Sequence, residues 1–212
     1  MHKFLNILSN VYSIVLHPML MPLYGMILFC VSIQQLIPTI SIKYLYICLI
    51  GTLILTLIIP VILLIFLWRK GYIDSLHIHD SKQRTTPYIY TLTCYSFWAY
   101  FLHVTMQLPM FLFIIAIGAV VALLAVTIIN HWWKISAHLT GIGGLLGGIC
   151  SFSLNYSIMP IKCIMLVLVL ALLLMYARLH LDAHSPLQVV CGFLLGLLCT
   201  FIPTFIFISF YA

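Results

Sequence analysis

The sequence contains no glutamate and only three aspartates, so carboxylates are scarce throughout the chain. Charged residues of either sign make up 6% of the 212 residues, against roughly 25% in an ordinary soluble domain. This scarcity excludes a soluble globular domain. The first ten residues also lack a basic start, a short apolar stretch and a small-residue cleavage site in that order, so we expect no removable signal peptide.

The cysteines are present but do not follow the spacing of metal ligands. All seven lie in or beside apolar runs, where cysteine behaves as a small core residue. We therefore expect no bound metal and no other cofactor.

What the chain has instead is apolar sequence, which makes up 65% of its residues. Crossing ~30 Å of hydrocarbon takes about 20 helical residues, and the chain has room for six or seven such runs. We predict an all-α polytopic transmembrane helix bundle with six or seven spans, forming a single membrane domain over 1–212. The predicted spans are 18–33, 44–68, 87–103, 110–129, 137–155, 161–176 and 186–211. Segment 4–16 is apolar but too short to span, so it either lies in the membrane interface or lengthens the first helix.

This order of spans places three polar connections on one membrane face: 69–86, 130–136 and 177–185. Each connection ends in a helix-start signal, and helix N-termini attract anions because their N–H groups are unpaired. The signals are Thr86 before Pro87, Ser136 before the fifth span, and Ser185 with Gln188 as a capping box. We expect the three helix starts to lie close together.

Cationic and imidazole side chains surround these helix starts. They are Lys82, Arg84, Lys134, His138, Arg178 and His184. Arginine and lysine bind phosphate oxygens, and histidine can act as nucleophile or general acid near neutral pH. The set therefore predicts a phosphate site, although interfacial cations also occur at membrane surfaces without any ligand.

Two other patterns have competing interpretations. His77, His79, His180 and His184 could suggest a metal site, but no cysteine pair joins them and carboxylates are scarce. Glycines at 141, 143, 144, 147 and 148 have the spacing that lets transmembrane helices approach closely, which indicates packing rather than a phosphate loop.

Three motifs in these connections resemble those of the type 2 phosphatidic acid phosphatase superfamily, membrane lipid phosphatases related to vanadium haloperoxidases. The third motif is conserved best: Arg178, five residues, His184, three residues and then Gln188 in ARLHLDAHSPLQ. The second reads Ile135, Ser136, Ala137, His138, and the first is reduced to Lys82, Arg84 and Pro87 in KQRTTP. The resemblance covers about residues 82–196.

The resemblance implies a six-helix phosphatase-like core and a role for each motif residue. His184 would attack phosphorus to form a phosphohistidine, and His138 would protonate the leaving alkoxide. Lys82, Arg84, Arg178 and the backbone around Ser136 and Ala137 would hold the phosphoryl oxygens. Such phosphoryl transfer depends mainly on positioning and positive charge, and it would need no metal.

Gln188 departs from the family, which has an aspartate at this place to orient the nucleophilic histidine. A glutamine oxygen can orient an imidazole but cannot neutralise its charge, so turnover would be slow unless Asp182 or Asp80 substitutes. Asp182 could instead pair with Arg178, four residues earlier, and Gln188 could serve only the capping box of Ser185.

The sequence hypothesis is therefore a membrane phosphatase, in a bacterial cytoplasmic (inner) membrane, that hydrolyses a lipid phosphate monoester or diphosphate. Its partners would be the lipid phosphate substrate and membrane lipids, with no nucleic acid. The alternative is a catalytically weakened lipid-phosphate-binding protein or scaffold, and a transporter is a third reading. The lipid, the membrane face and the oligomeric state stay open.

Overall fold

The computed structural model describes residues 2–75, 82–156 and 161–211, which form helices joined by short connections. The helices are α1 (His2–Val15), α2 (Met21–Leu36), α3 (Ile42–Leu53), α4 (Ile59–Arg69), α5 (Thr85–Tyr100), α6 (Met110–Ile129), α7 (Ala137–Tyr156), α8 (Ile161–His180) and α9 (Pro186–Tyr211). Single π-helical turns, Ile54–Ile58 and Phe101–Thr105, join α3 to α4 and extend α5. Short 3₁₀ turns, Pro18–Leu20 and Lys82–Arg84, precede α2 and α5. These ranges contain no strand, which confirms the all-α prediction.

Within the described ranges, six helical stretches are long and apolar enough to cross a membrane. They are Lys3–Gln35, Ile42–Arg69, Met110–Ile129, Ala137–Leu154, Ile161–His180 and Pro186–Phe207. The chain is thus an integral membrane protein with a polytopic helix bundle. The predicted span 87–103 forms α5 and its π-helical turn but is not among the six, because its threonines, tyrosines and serine lower its hydropathy.

The structure changes one predicted helix end and settles the conformation of the N-terminal segment. The sixth predicted span ended at 176, but α8 continues to His180, so Arg178 lies on the last turn of a helix rather than in a loop. Segment 4–16 becomes helix α1, which is followed by a turn and then α2.

Helix α1 buries its serines and exposes its apolar side chains. Ser9 and Ser13 are buried, whereas Phe4 and Ile14 are about two-thirds exposed. This is the reverse of a helix on a soluble protein and suits a helix that faces lipid. The polar side of α1 packs against α8, where the Asn6 side-chain oxygen lies 2.9 Å from Nε2 of His180.

Helices α7 and α9 form the closest contact of the bundle. A Cβ at Gly143 would overlap the carbonyl of Phe193, and one at Gly196 would overlap the carbonyl of Thr140. The two backbones can approach this closely only because both positions lack a side chain. The predicted packing role is confirmed for Gly143, and for Gly147, where an added Cβ would lie 2.6 Å from the carbonyl of Leu197.

Candidate anion-binding site

A cavity of about 620 Å³ opens between α2, α5, α6 and α7, and its polar end collects most of the predicted cations and histidines. We call this end the cationic mouth. It is lined by Arg84, Lys134, Arg178, His17, His138 and His184, with Ala137 beside them. His138, Arg178 and His184 all line this one cavity.

The three cations of the mouth lie close enough to repel one another. Burial lowers the pKa of Lys134, and the positive charges of Arg84 and Arg178 lower it further. Arg178 donates from Nη1 to the Ser13 hydroxyl at 3.2 Å, while its buried Nε has no hydrogen-bond partner among the described residues. A bound anion would relieve this repulsion and supply an acceptor for that N–H.

His184 is held through one ring nitrogen and leaves the other available. Its Nδ1 lies 3.1 Å from the carbonyl of Lys134 and 3.3 Å from Oε1 of Gln188. Both oxygens are acceptors, so Nδ1 carries the proton and Nε2 holds the lone pair. Burial, followed by the charge of Arg178, lowers the pKa of His184 from 6.5 to about 4. The imidazole is therefore neutral at physiological pH, as a nucleophile must be.

Gln188 makes both of the contacts that its sequence position suggested. Its Oε1 accepts from the backbone N–H of Ser185 at 3.0 Å while it also contacts His184. In return, the backbone N–H of Gln188 donates to Oγ of Ser185 at 3.4 Å. The predicted capping box of α9 is confirmed, and its glutamine orients the histidine without lining the cavity itself.

His138 and His17 place two further imidazoles at the mouth. Nε2 of His138 lies 3.2 Å from the carbonyl of Ser13, which fixes the proton on that nitrogen. The ring of His17 stands edge-on to that of His138, with centroids 5.3 Å apart. Nδ1 of His17 accepts from the backbone N–H of Met19 at 3.3 Å, so its own proton is on Nε2.

Two of the three predicted caps are wrong. Thr86 does not cap α5, because the 3₁₀ turn Lys82–Arg84 runs directly into a helix that begins at Thr85. The hydroxyl of Ser136 is buried without a partner among the described residues, and Ser136 does not line the cavity. Its carbonyl is pressed against α9, where a Cβ at Gly192 would approach it to 2.6 Å.

Three other predicted participants have different outcomes. Asp182 lines the cavity, but the described contacts of His184 go to Lys134 and Gln188, and those of Arg178 go to Ser13. Asp182 instead ends α8 with a positive φ of 49°, a conformation that aspartate tolerates. For Lys82 the structure describes the backbone, which begins the 3₁₀ turn, so its phosphate contact stays a prediction. Asp80 lies outside the described residues.

Sequence reasoning missed the contribution of the N-terminal segment. His17 precedes Pro18 at a helix start, the same signal that identified Ser185 and Pro186, so it could have been found. Ser13 carries no local signal. Tyr88 does, because it lies four residues after Arg84, a spacing that brings two side chains together on a helix, and its hydroxyl accepts a hydrogen bond from Arg84.

A metal site finds no support in the described part of the chain, which holds no group of three or more histidines, cysteines or acids placed to bind an ion. His77 and His79 lie outside that part. The arrangement offers a neutral nucleophilic imidazole, two further imidazoles and three cations around one space, which is chemistry suited to phosphoryl oxygens. Comparison of the chain with protein-family models, curated proteins and solved structures gives no significant match.

Proposed function

We propose that this protein is a membrane phosphatase that hydrolyses a lipid phosphate monoester or diphosphate through a phosphohistidine. The observation that carries the proposal is the cationic mouth, where Arg84, Lys134 and Arg178 surround the same space as His138 and His184. The motif resemblance to the type 2 phosphatidic acid phosphatase superfamily supports the same activity. A bacterial cytoplasmic membrane is the proposed location.

In this mechanism the three cations hold the phosphoryl oxygens while Nε2 of His184 attacks phosphorus. The bond from phosphorus to the leaving oxygen breaks, and His138, in its imidazolium form, gives that oxygen a proton and becomes neutral. Water then attacks the phosphohistidine and passes a proton back to His138, which releases phosphate and restores His184. During attack the ring of His184 becomes positive, and the oxygens of Lys134 and Gln188 stabilise its Nδ1 proton.

A second candidate is a protein that binds lipid phosphates with little or no turnover. It is favoured by Gln188, because an amide cannot neutralise the imidazolium as an aspartate would; loss of the comparable carboxylate in serine proteases costs about 10⁴ in rate. The proton on Nε2 of His138 is also held by the Ser13 carbonyl, so His138 can act as the acid only when Nδ1 is protonated as well.

An assay of phosphate release from lipid substrates distinguishes the two candidates. It uses purified protein in detergent and a panel of lipid phosphate monoesters and diphosphates. Phosphatase activity should persist with chelator, yield an acid-labile phosphoenzyme and disappear in His184→Ala. The matched control is His180→Ala, which removes an imidazole outside the cavity from the same connection. Vanadate binding without phosphate release would favour the second candidate, and release unchanged in His184→Ala would contradict the mechanism.

A further inference from the structure

We propose that the cavity beneath the cationic mouth holds the hydrocarbon chain of the phosphate-bearing lipid, and that an aromatic floor sets the longest chain it accepts. We define the aromatic floor as Phe29, Phe111 and Phe152. The inference rests on the proposed function for the headgroup, because the mouth must hold the phosphate while the chain lies below it.

The cavity is long and follows one side of α7. Its lining residues there include His138, Gly141, Leu145, Gly148 and Phe152, which recur at three- or four-residue spacing. From the first to the last is about 21 Å at 1.5 Å per residue, most of the ~30 Å hydrocarbon thickness of a bilayer. A phosphate group occupies only the upper end of such a space.

The lower part of the cavity is lined mainly by apolar residues, with glycines among them. Gly25 on α2 faces Leu145 on α7, and a Cβ at Gly25 would meet only the Cδ1 methyl of that leucine, at 3.4 Å. Gly148 packs against Ile115 on α6, whose Cγ2 would lie 3.2 Å from an added Cβ, and both residues line the cavity. An apolar space of this kind suits a hydrocarbon chain, whereas a soluble phosphate would not fill it.

Three phenylalanine rings close the deep end. The centroid of Phe29 lies 6.3 Å from that of Phe111 and 5.9 Å from that of Phe152, and the remaining pair is 5.8 Å apart. Each ring is only 4% exposed, and both Phe29 and Phe152 line the cavity. Mutually packed rings resist displacement, so a chain that reaches them can extend no further.

A chain bound in this cavity should show a dependence of affinity on chain length that a lipid with its tail in the bilayer would not show. Hydrocarbon is equally apolar in a micelle, a bilayer and the cavity, so affinity should change little with chain length until the chain reaches the floor. A chain a few carbons longer must overfill a packed interior, which should weaken binding and turnover by about tenfold or more. A tail left in the bilayer would meet no such limit.

The test uses monoalkyl phosphates from octyl to docosyl in one detergent. Phosphate release is measured with the wild type, and thermal shift measures binding to His184→Ala. We expect a length limit in both assays. Phe152→Ala should move it to longer chains and Gly25→Leu to shorter ones, whereas Phe205→Ala, which truncates an exposed phenylalanine outside the cavity, should leave it unchanged.

A second measurement uses the unmodified protein, so the result does not depend on the folding of a variant. An alkyl phosphate with a photoreactive group at the chain end should label residues of the aromatic floor or the adjacent cavity wall. Labelling confined to exposed positions, or the absence of any length limit, overturns the inference while phosphate release still supports the phosphatase. A length limit in binding without phosphate release would instead contradict the proposed reaction and leave the chain site standing.

Discussion

Helix α7 packs tightly against α9 on one side and lines the cavity on another, and its glycines differ in what an added side chain would meet. Gly143 and Gly147 face α9, where added side chains would strike backbone. Gly144 and Gly148 also line the cavity; an added Cβ would meet the Thr200 methyl of α9 at 3.6 Å from Gly144, and Cγ2 of Ile115 on α6 at 3.2 Å from Gly148. The contact with α9 therefore fixes the helix in place, while the cavity side holds His138. One helix thus provides both the rigid support and a histidine of the cationic mouth.

The largest expected effect is on the cavity side, in His138→Ala. Removing a general acid should slow phosphate release by about 10²–10⁴ while the thermal unfolding midpoint changes little. The matched control is His131→Ala: each histidine has one contact to a backbone carbonyl, at 3.2 and 3.1 Å, but His131 does not line the cavity. Equal rates for the two variants would mean that His138 is structural.

A glycine pressed against the α9 backbone and a neighbouring glycine that also lines the cavity are compared directly by adding one methyl group to each. Gly143→Ala should lower the free energy of unfolding by about 3 kcal/mol, because its Cβ overlaps a backbone carbonyl that cannot move. Gly144→Ala should be neutral or gain up to about 1 kcal/mol in helix propensity, since its Cβ meets Thr200 at an ordinary 3.6 Å. Thermal unfolding in detergent measures both. Similar losses in the two variants would contradict the difference between these two positions.

Sequence reasoning predicted the helices and the meeting of the three connections, because the length of the apolar runs and the order of the loops determine both. It also predicted the capping box that Ser185 and Gln188 form at the start of α9, because these two residues are only three positions apart. It failed for Thr86 and Ser136, because a cap depends on where the helix begins and what packs against it. The cavity could not be predicted, since glycine spacing does not reveal which glycines pack only against a neighbouring helix and which also line a cavity.

Gln188→Glu tests how a negative charge beside His184 changes the pKa of that histidine. In the wild type, His184 takes up its proton near pH 4 in the folded state but near 6.5 when unfolded. Stability should therefore fall as pH drops from 6.5 to 4, because only the unfolded chain binds the proton. A carboxylate at 188 should raise the folded pKa by about one unit or more and reduce this loss.

Two readouts follow the change in Gln188→Glu. Histidine NMR titration reports the pKa of His184, and the acid limb of kcat/KM should move to higher pH with it. An unchanged titration would show that residue 188 does not contact His184 in solution.

The smallest expected effects come from two serines that were both predicted from the sequence to be helix caps. Ser185→Ala removes the hydroxyl that accepts from Gln188 at 3.4 Å and should cost about 0.5–1 kcal/mol of stability. Ser136→Ala removes a buried hydroxyl without a partner among the described residues, so it should be neutral or slightly stabilising, with phosphate release unchanged. If Ser136→Ala instead slowed release tenfold or more, that hydroxyl would reach the phosphate, and the start of α7 would have to rearrange on binding.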